Sequence, residues 1–388
     1  MSSSRFRFPR VTMPDAARAL RQEVREFLAA ERASGGFVPM ADCWASGFSA
    51  EFSRKLGQRG WLGMTWPKQY GGHERSFLER YVVTEEMLAA GAPVMAHWIA
   101  DRQSGTQMLR HASAEVKNRA LPRMAAGQTF CAIGMSEPNT GSDLASVRTR
   151  ADKVAGGWKV NGRKIWSTGA HGEGCDYMIS LVRTAPADEK ARHQGLSQLI
   201  IDLKAPGVTV RGIEDIGGQV HFNETLFEDV FVPESHLLGK EGHGWSLVVG
   251  ELALERSGPE RFLSSFIALR EAMQVLAANP DDRTREVLGH LVARIKTLRR
   301  MSLGIAGLLQ EGKSPETEAA LVKDMATRFE RELIEQLRVV LPEAVLLSSS
   351  GVLPRLMREA ILRVPSSTLR GGTNEVLKGM IVRQLGLR

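Results

Sequence analysis

Cysteine is scarce: Cys43, Cys131 and Cys175 are the only three in 388 residues, widely spaced and odd in number. That excludes a disulfide framework, and without His neighbours at metal-ligand spacing it gives no zinc site. A reducing cytoplasm is the expected compartment. Long apolar runs are missing as well. No stretch approaches ~20 consecutive apolar residues. The opening MSSSRFRFPRVTM carries basic residues without an apolar core, so neither a membrane span nor a secretion signal is expected. There is no Lys/Arg-rich run interleaved with aromatics, no internal repeat and no low-complexity tract. The net charge of +7 is spread along the chain, which is the pattern of a solvated basic surface, and nucleic acid is not an expected partner. An anionic small ligand such as a nucleotide cofactor is compatible with it.

What is present is globular. Hydrophobic residues make up 43% and charged residues 24%, and the length suits two or three domains. From residue 14 to about 127 the pattern is helical. Ala16, Leu20, Val24, Phe27 and Leu28 recur at three- and four-residue steps, and similar segments follow at 49–60, 76–90, 94–109 and 114–126. From about Gln128 the pattern turns to strands. Runs at 177–182, 198–203, 208–213 and 224–232 are separated by Gly, Pro and Asp, and Asn161-Gly162 between two β-prone runs predicts a hairpin turn. After Gly244 the chain is helical again, with a break at Gly258-Pro259, long amphipathic stretches at 282–312 and 315–341, and shorter ones at 352–362 and 375–384. The expected class is α+β: an N-terminal helical domain (1–127), a central β-barrel or sandwich-like domain (128–240) and a C-terminal four-helix bundle (241–388).

One loop draws chemistry to itself. Residues 136–146 read SEPNTGSDLAS directly after the apolar run 130–135, so a strand end opens into a tight polar turn. Gly141 lets the backbone approach a ligand, Ser136 and Ser142 offer hydroxyls, and consecutive N–H groups in such a turn form an anion-binding concavity. Taken alone, the same residues also describe an ordinary surface turn.

Three further segments accompany it: 164–171, 254–262 and 370–388. With GWLGMTWPKQYGG near the start and VFVP, LLG and GHGW at the β-to-helix junction, the chain resembles, along essentially its whole length, the acyl-CoA dehydrogenase family of FAD enzymes. The resemblance implies FAD held between the β-domain and the bundle, and oxidoreductase chemistry on a CH–CH bond of a fatty or steroid acyl-CoA. It puts Ser136 at the flavin pyrimidine edge, Ile133 and Met135 beside the ring, and Gly141 and Ser142 at the pyrophosphate and the pantetheine arm. Trp166 then lies against the isoalloxazine with Ser167 and Thr168 following, Thr168 near N5. Thr373 and Glu375 meet the nucleotide portion, and Arg256 lies near the acyl-CoA. The partners it implies are an acyl-CoA substrate, an electron-transfer flavoprotein as acceptor, and a homodimer, homotetramer or heteromer with a related chain.

The chain also departs from the family pattern. Many members carry the catalytic base in a Tyr-Glu-Gly-Thr motif, whereas this chain reads Leu369-Arg370-Gly371-Gly372-Thr373, with Gly371 at the base's position. Glu255 in LERSGPERF matches an alternative position used by other members and is the expected base, with Glu260 as the runner-up on the same helix. An Arg-x-Phe-Gly segment is absent between 259 and 324, and LPEAVLLSSSG replaces a Gln followed by a Gly-Gly pair. Three alternatives therefore stay open: a non-catalytic or half-site subunit of a heteromeric enzyme, a flavin oxidase or monooxygenase on the same fold, and, from the basic pI alone, a nucleic-acid-associated relative.

Overall fold

The structure is a computed structural model and describes residues 6–186, 190–256 and 258–387; the side chains of residues 252–255 lie outside the description. In chain order the main elements are α1 (Asp15–Ala33), α2 (Ala50–Gln58), α3 (Phe77–Ala89), α4 (Ala114–Ala125), β1 (Phe130–Gly134), β2 (Arg150–Val154), β3 (Gly157–Thr168), β4 (Cys175–Arg183), β5 (Leu196–Asp202), β6 (Val208–Glu214), β7 (Val220–Pro233) and β8 (Leu237–Leu238). They continue with α5 (Gly244–Arg256), α6 (Phe266–Leu276), α7 (Asp282–Gln310), α8 (Glu316–Val340), α9 (Val352–Arg363) and α10 (Asn374–Gln384). The helix–strand–helix order agrees with the fold class read from the sequence. None of the described helices is long and apolar enough to cross a membrane.

The chain divides into two compact units. One comprises Phe48–Arg75 and Val94–Leu252; the other comprises Met1–Gly47, Ser76–Pro93 and Ala253–Arg388.

The first unit is built on an eight-stranded sheet ordered β6-β7-β3-β2-β4-β5-β8, with β1 beside β4 in parallel. Strand β4 is buried along almost its whole length, which is why it reads as an unbroken apolar run. Its alternate residues serve two cores. Met178 and Val182 pack with Trp158, Val160, Leu199 and Phe227, while Tyr177 and Ile179 pack with Met108, Leu121 and Met124 from the helices before β1. The expected turn at Asn161-Gly162 is not formed. The β2–β3 hairpin closes instead at Ala155-Gly156, where Val154 pairs with Gly157 and Gly156 takes φ 78°. β3 runs straight through Asn161-Gly162. Asn161 is used as a clasp: its Oδ1 accepts from Asp229 N at 2.9 Å and its Nδ2 donates to Asp229 Oδ1 at 3.0 Å, at a slip in the β3–β7 register. A turn-forming dipeptide and a β-bulge ask the same freedom of the backbone, so periodicity could not separate them.

The second unit is helical. Some of its helices start on side-chain caps. Ser76 and Glu79 form a reciprocal capping box on α3, and Asp281 accepts from Thr284 N at 2.7 Å to begin α7. α1, α3 and α7 are tied by charge: Arg21 and Arg299 both pair with the buried Glu85, and Arg21 and Arg25 with the buried Glu86. α8 carries the core of the unit through Val322, Phe329, Leu333 and Leu337, all fully buried. Within its apolar face runs a polar row, Lys323, Thr327 and Glu330, also buried.

Glu330 accepts from Ser264 N at 2.8 Å and Ser265 N at 3.0 Å, just ahead of α6. Burial pushes its carboxyl up from 4.5 to about 8. A folded value above the unfolded one means that Glu330 contributes stability in full below pH 4.5 and loses it as pH rises through about 8. In urea titrations across that window, wild-type stability is expected to fall with pH relative to Glu330→Gln. A constant difference between the two would show that Glu330 does not titrate there.

Candidate functional site

In the sheet unit the predicted residues gather where β1 and β3 end. β1 delivers Ile133 and Met135, both half-buried, to the half-buried Ser136. Beyond it the chain turns at once: Glu137 N donates to Thr140 O at 2.8 Å and Thr140 N to Glu137 O at 2.9 Å. Gly141 and Ser142 are exposed at the tip. The return limb is held by Arg183, which donates to Ala145 O at 2.7 Å and Val147 O at 3.2 Å.

A buried ion pair fastens this loop to β3. Lys164 is 0% exposed; its Nζ donates to Glu137 Oε1 at 2.8 Å and Met135 O at 3.1 Å. Glu137 also accepts from Arg148 N at 2.7 Å and Thr149 N at 2.9 Å, so one carboxylate ties the two ends of the loop. Ile165 N completes the seam, donating to Ser136 O at 2.9 Å. Burial pushes the Lys164 ammonium down to about 8, with the Glu137 charge opposing. Burial alone would raise the Glu137 carboxyl, but the Lys164 charge and the hydrogen bonds it accepts bring it below the ordinary carboxylate value.

Two residues after Lys164, β3 bulges. The register with β7 slips between Lys164 and Ser167, and Trp166 adopts φ 63°, a left-handed conformation costly for a bulky residue. The slip turns the indole outwards: Trp166 is 55% exposed and meets Phe222 edge-on with centroids 5.8 Å apart. Ser167 is buried with its Oγ unpartnered, and Thr168 is half-buried. An exposed flat aromatic, two neighbouring apolar side chains, the hydroxyls of Ser136 and Thr168 and a polar turn form a donor set that fits a flavin and its phosphates.

The remaining predicted residues lie in the helical unit. Arg256, at the end of α5, is buried; its Nε donates to Gly371 O at 3.2 Å. Gly371 and Gly372 have φ 67° and 88°, and a Cβ at Gly372 would lie 3.0 Å from Arg256 Nη2. From the other side Lys323 Nζ donates to Gly372 O at 2.7 Å, Asn374 Oδ1 at 2.9 Å and Thr368 O at 3.4 Å. Arg370 forks onto Asp42 at 2.8 and 3.1 Å and covers Trp44 at 4.7 Å. Thr373 caps α10 by accepting from Val376 N at 3.3 Å, and Glu375 is exposed in its first turn. Glu255 occupies the last turn of α5, and its side chain lies outside the described residues. Glu260 is not on that helix: α5 ends at Arg256, and Glu260 opens a separate short helix, Glu260–Leu263, where it is buried beside Arg261.

Sequence reasoning missed Glu137 and Lys323 as organising residues. Both had a signal. Lys164 shares the even-numbered face of β3 with the buried Trp158 and Val160, and a lysine on an inward face calls for a carboxylate. Lys323, Thr327 and Glu330 fall at helical spacing inside the apolar stripe of α8.

Three family models match the chain: "Acyl-CoA dehydrogenase, N-terminal domain" over residues 14–128, "Acyl-CoA dehydrogenase, middle domain" over 132–230 and "Acyl-CoA dehydrogenase, C-terminal domain" over 242–386. Among curated proteins the chain is similar to acyl-CoA dehydrogenase FadE26 of Mycobacterium tuberculosis, 31% identical over 394 residues, covering 96% of this chain and 97% of that protein. Among solved structures it is similar to the Tcur3481-Tcur3483 steroid ACAD, at 27% identity and TM-score 0.85, covering 97% of this chain and 98% of that one. It is also similar to the ChsE4-ChsE5 complex from Mycobacterium tuberculosis, at 29% identity and TM-score 0.83, covering 98% and 100%.

Lys323→Met tests how firmly the glycine turn is held. Removing the ammonium takes its donor from Gly372 O and leaves Asn374 Oδ1 to the Thr327 hydroxyl alone, at an expected cost of about 1–3 kcal/mol in denaturant titration. An unchanged midpoint would mean that the turn does not depend on Lys323.

Proposed function

The chain belongs to the acyl-CoA dehydrogenase family of oxidoreductases, and on that premise we propose that it desaturates an acyl-CoA thioester at the α,β positions with Glu255 as the base. The observation that carries this reading is the Gly371–Gly372 turn, clamped by Arg256 and Lys323 yet offering no ionisable side chain at Gly371, while Glu255 stands next to Arg256 in the chain.

The α-C–H of a thioester is a weak acid, so the reaction needs a carboxylate held in a water-poor setting and donors for the charge that develops on the thioester oxygen. Glu255 takes the α-proton. FAD, when bound, supplies the acceptor for the β-hydride, leaving a trans-2-enoyl-CoA as product. Ile133, Met135 and Trp166 offer the apolar surface for the flavin ring, Ser136, Ser167 and Thr168 its hydrogen-bonding edge, and Gly141 and Ser142 the approach for the phosphates and the pantetheine arm. Thr373 and Glu375 serve the nucleotide portion while capping α10. Arg256 serves the acyl-CoA side, and its bond to Gly371 O fixes the last turn of α5, the turn that carries Glu255. Residues 1–127, 128–240 and 241–388 act as the helical, β and bundle domains of this enzyme, with electron-transfer flavoprotein as acceptor and the cytoplasm as compartment.

A second chain is part of the proposal. The names of the similar structures pair two proteins, Tcur3481 with Tcur3483 and ChsE4 with ChsE5, and one names a steroid ACAD. The pairings favour an assembly with a second chain, and the steroid name favours a bulky acyl group over a straight chain.

Anaerobic mixing with a panel of straight, branched and steroid-type CoA esters, with and without a co-expressed paralogue, should bleach the flavin band of the yellow protein. Glu255→Gln should slow that bleaching about 10²–10⁴-fold while leaving the protein yellow. Equal rates would remove Glu255 from the base's role; bleaching only with the paralogue would make this chain a half-site subunit.

A further inference from the structure

The side walls of the sheet-unit site come from two segments far apart in sequence, Met135-Ser136 and Trp166-Ser167-Thr168, and a single buried pair joins them. We propose that Lys164 and Glu137 are positioning residues that set this wall before any cofactor arrives, so that FAD meets a finished surface rather than ordering one. The inference rests on the reading of that wall as the flavin site.

The geometry is specific to positioning. Lys164 does more than neutralise a carboxylate, because its ammonium reaches the carbonyl of Met135 as well as Glu137 and so brackets Ser136 from both sides. The backbone at Ser136 is then sewn to β3 through Ile165 N. Glu137 extends the hold across the loop, accepting from Arg148 N and Thr149 N, so the path of residues 137–148, which carries Gly141 and Ser142, is closed by one carboxylate. On the β3 side Lys164 is the last residue in regular register before the slip, pairing with Thr225, and register resumes at Ser167 opposite Asn223. The strained Trp166 therefore sits between a fixed anchor and a fixed re-entry, which is how an unfavourable φ persists. Close packing leaves little freedom around the anchor: a Cβ on Gly134 would stand 3.2 Å from Lys164 Cγ and 2.5 Å from Met178 Sδ.

A buried ion pair is weak grounds for inferring stability, since neutral groups of similar volume often replace it at little cost, whereas removing one partner leaves a buried charge exposed to the full penalty. That asymmetry supplies the test. Glu137→Gln and Lys164→Met are made singly and together in the full chain. Three quantities are followed: the urea midpoint, amide hydrogen exchange at Arg148 and Thr149 in the FAD-free protein, and the FAD dissociation constant by flavin fluorescence. The single variants are expected to lose stability and the double variant to recover most of it. Exchange at Arg148 and Thr149 should stay about tenfold faster in the double variant, and FAD should bind about tenfold more weakly, because the ordering is then done at the moment of binding. A pair with a merely structural role would recover all three together. Unchanged exchange in the double variant, or unchanged FAD affinity, overturns the proposal. A wild-type chain that takes up no FAD, either alone or with the co-expressed paralogue, overturns the flavin reading itself, and is told apart because it shows before any substitution is made.

Discussion

A lysine with no exposure to solvent sets the terms for the sheet unit. Lys164 sits on the inward face of β3, where an unpaired ammonium could not be tolerated, and its demand for acceptors draws in the Met135 carbonyl and the Glu137 carboxylate. Breaking such a pair on one side costs about 3–5 kcal/mol, far more than an exposed pair contributes. The consequence is directional. With Lys164 satisfied, the end of β1, the start of the polar loop and the stretch of β3 before Trp166 have little room to move relative to one another. The left-handed Trp166 and its outward indole result from that fixed frame.

The helical unit handles its own glycine turn by similar means. Arg256 and Lys323 reach residues 368–374 from α5 and α8, both donating to main-chain carbonyls of the turn, and Arg370 ties the turn outward to Asp42. Cations that bond carbonyls fix the path of a backbone whatever side chains it carries. That suits a Gly-Gly pair with positive φ, which has no side chains to anchor it. Here the turn is held rigidly without carrying a base, and the ionisable group expected for the chemistry sits on the neighbouring helix at Glu255.

Much of this was legible in the sequence because it depends on local rules. The helical segments read from 49, 76 and 282 begin there, on the caps Ser49, Ser76 and Asp281. The Gly258-Pro259 break separates α5 from the short helix Glu260–Leu263, and β4 to β7 lie where alternation and apolar runs put them. The loop 136–146 does emerge from a strand end. One reading failed because two local signals were equivalent and a distant residue chose between them. Asn161-Gly162 can make a turn or a bulge, and the bond to Asp229 on β7 selects the bulge. Glu260 is expected on the helix of Glu255 although the Gly258-Pro259 break lies between them, and it opens the separate helix Glu260–Leu263 instead.

Residue type, order and periodicity by themselves determined the fold class, and the resemblance of contiguous motifs the family, because those properties are carried by short-range propensity and by motifs that stay together in the chain. The partnerships were decided only in three dimensions. Glu137 is 27 residues from Lys164, and Lys323 is 49 from Gly372. A buried charge selects its partner by proximity and shared exclusion from water, neither of which any spacing along the chain encodes.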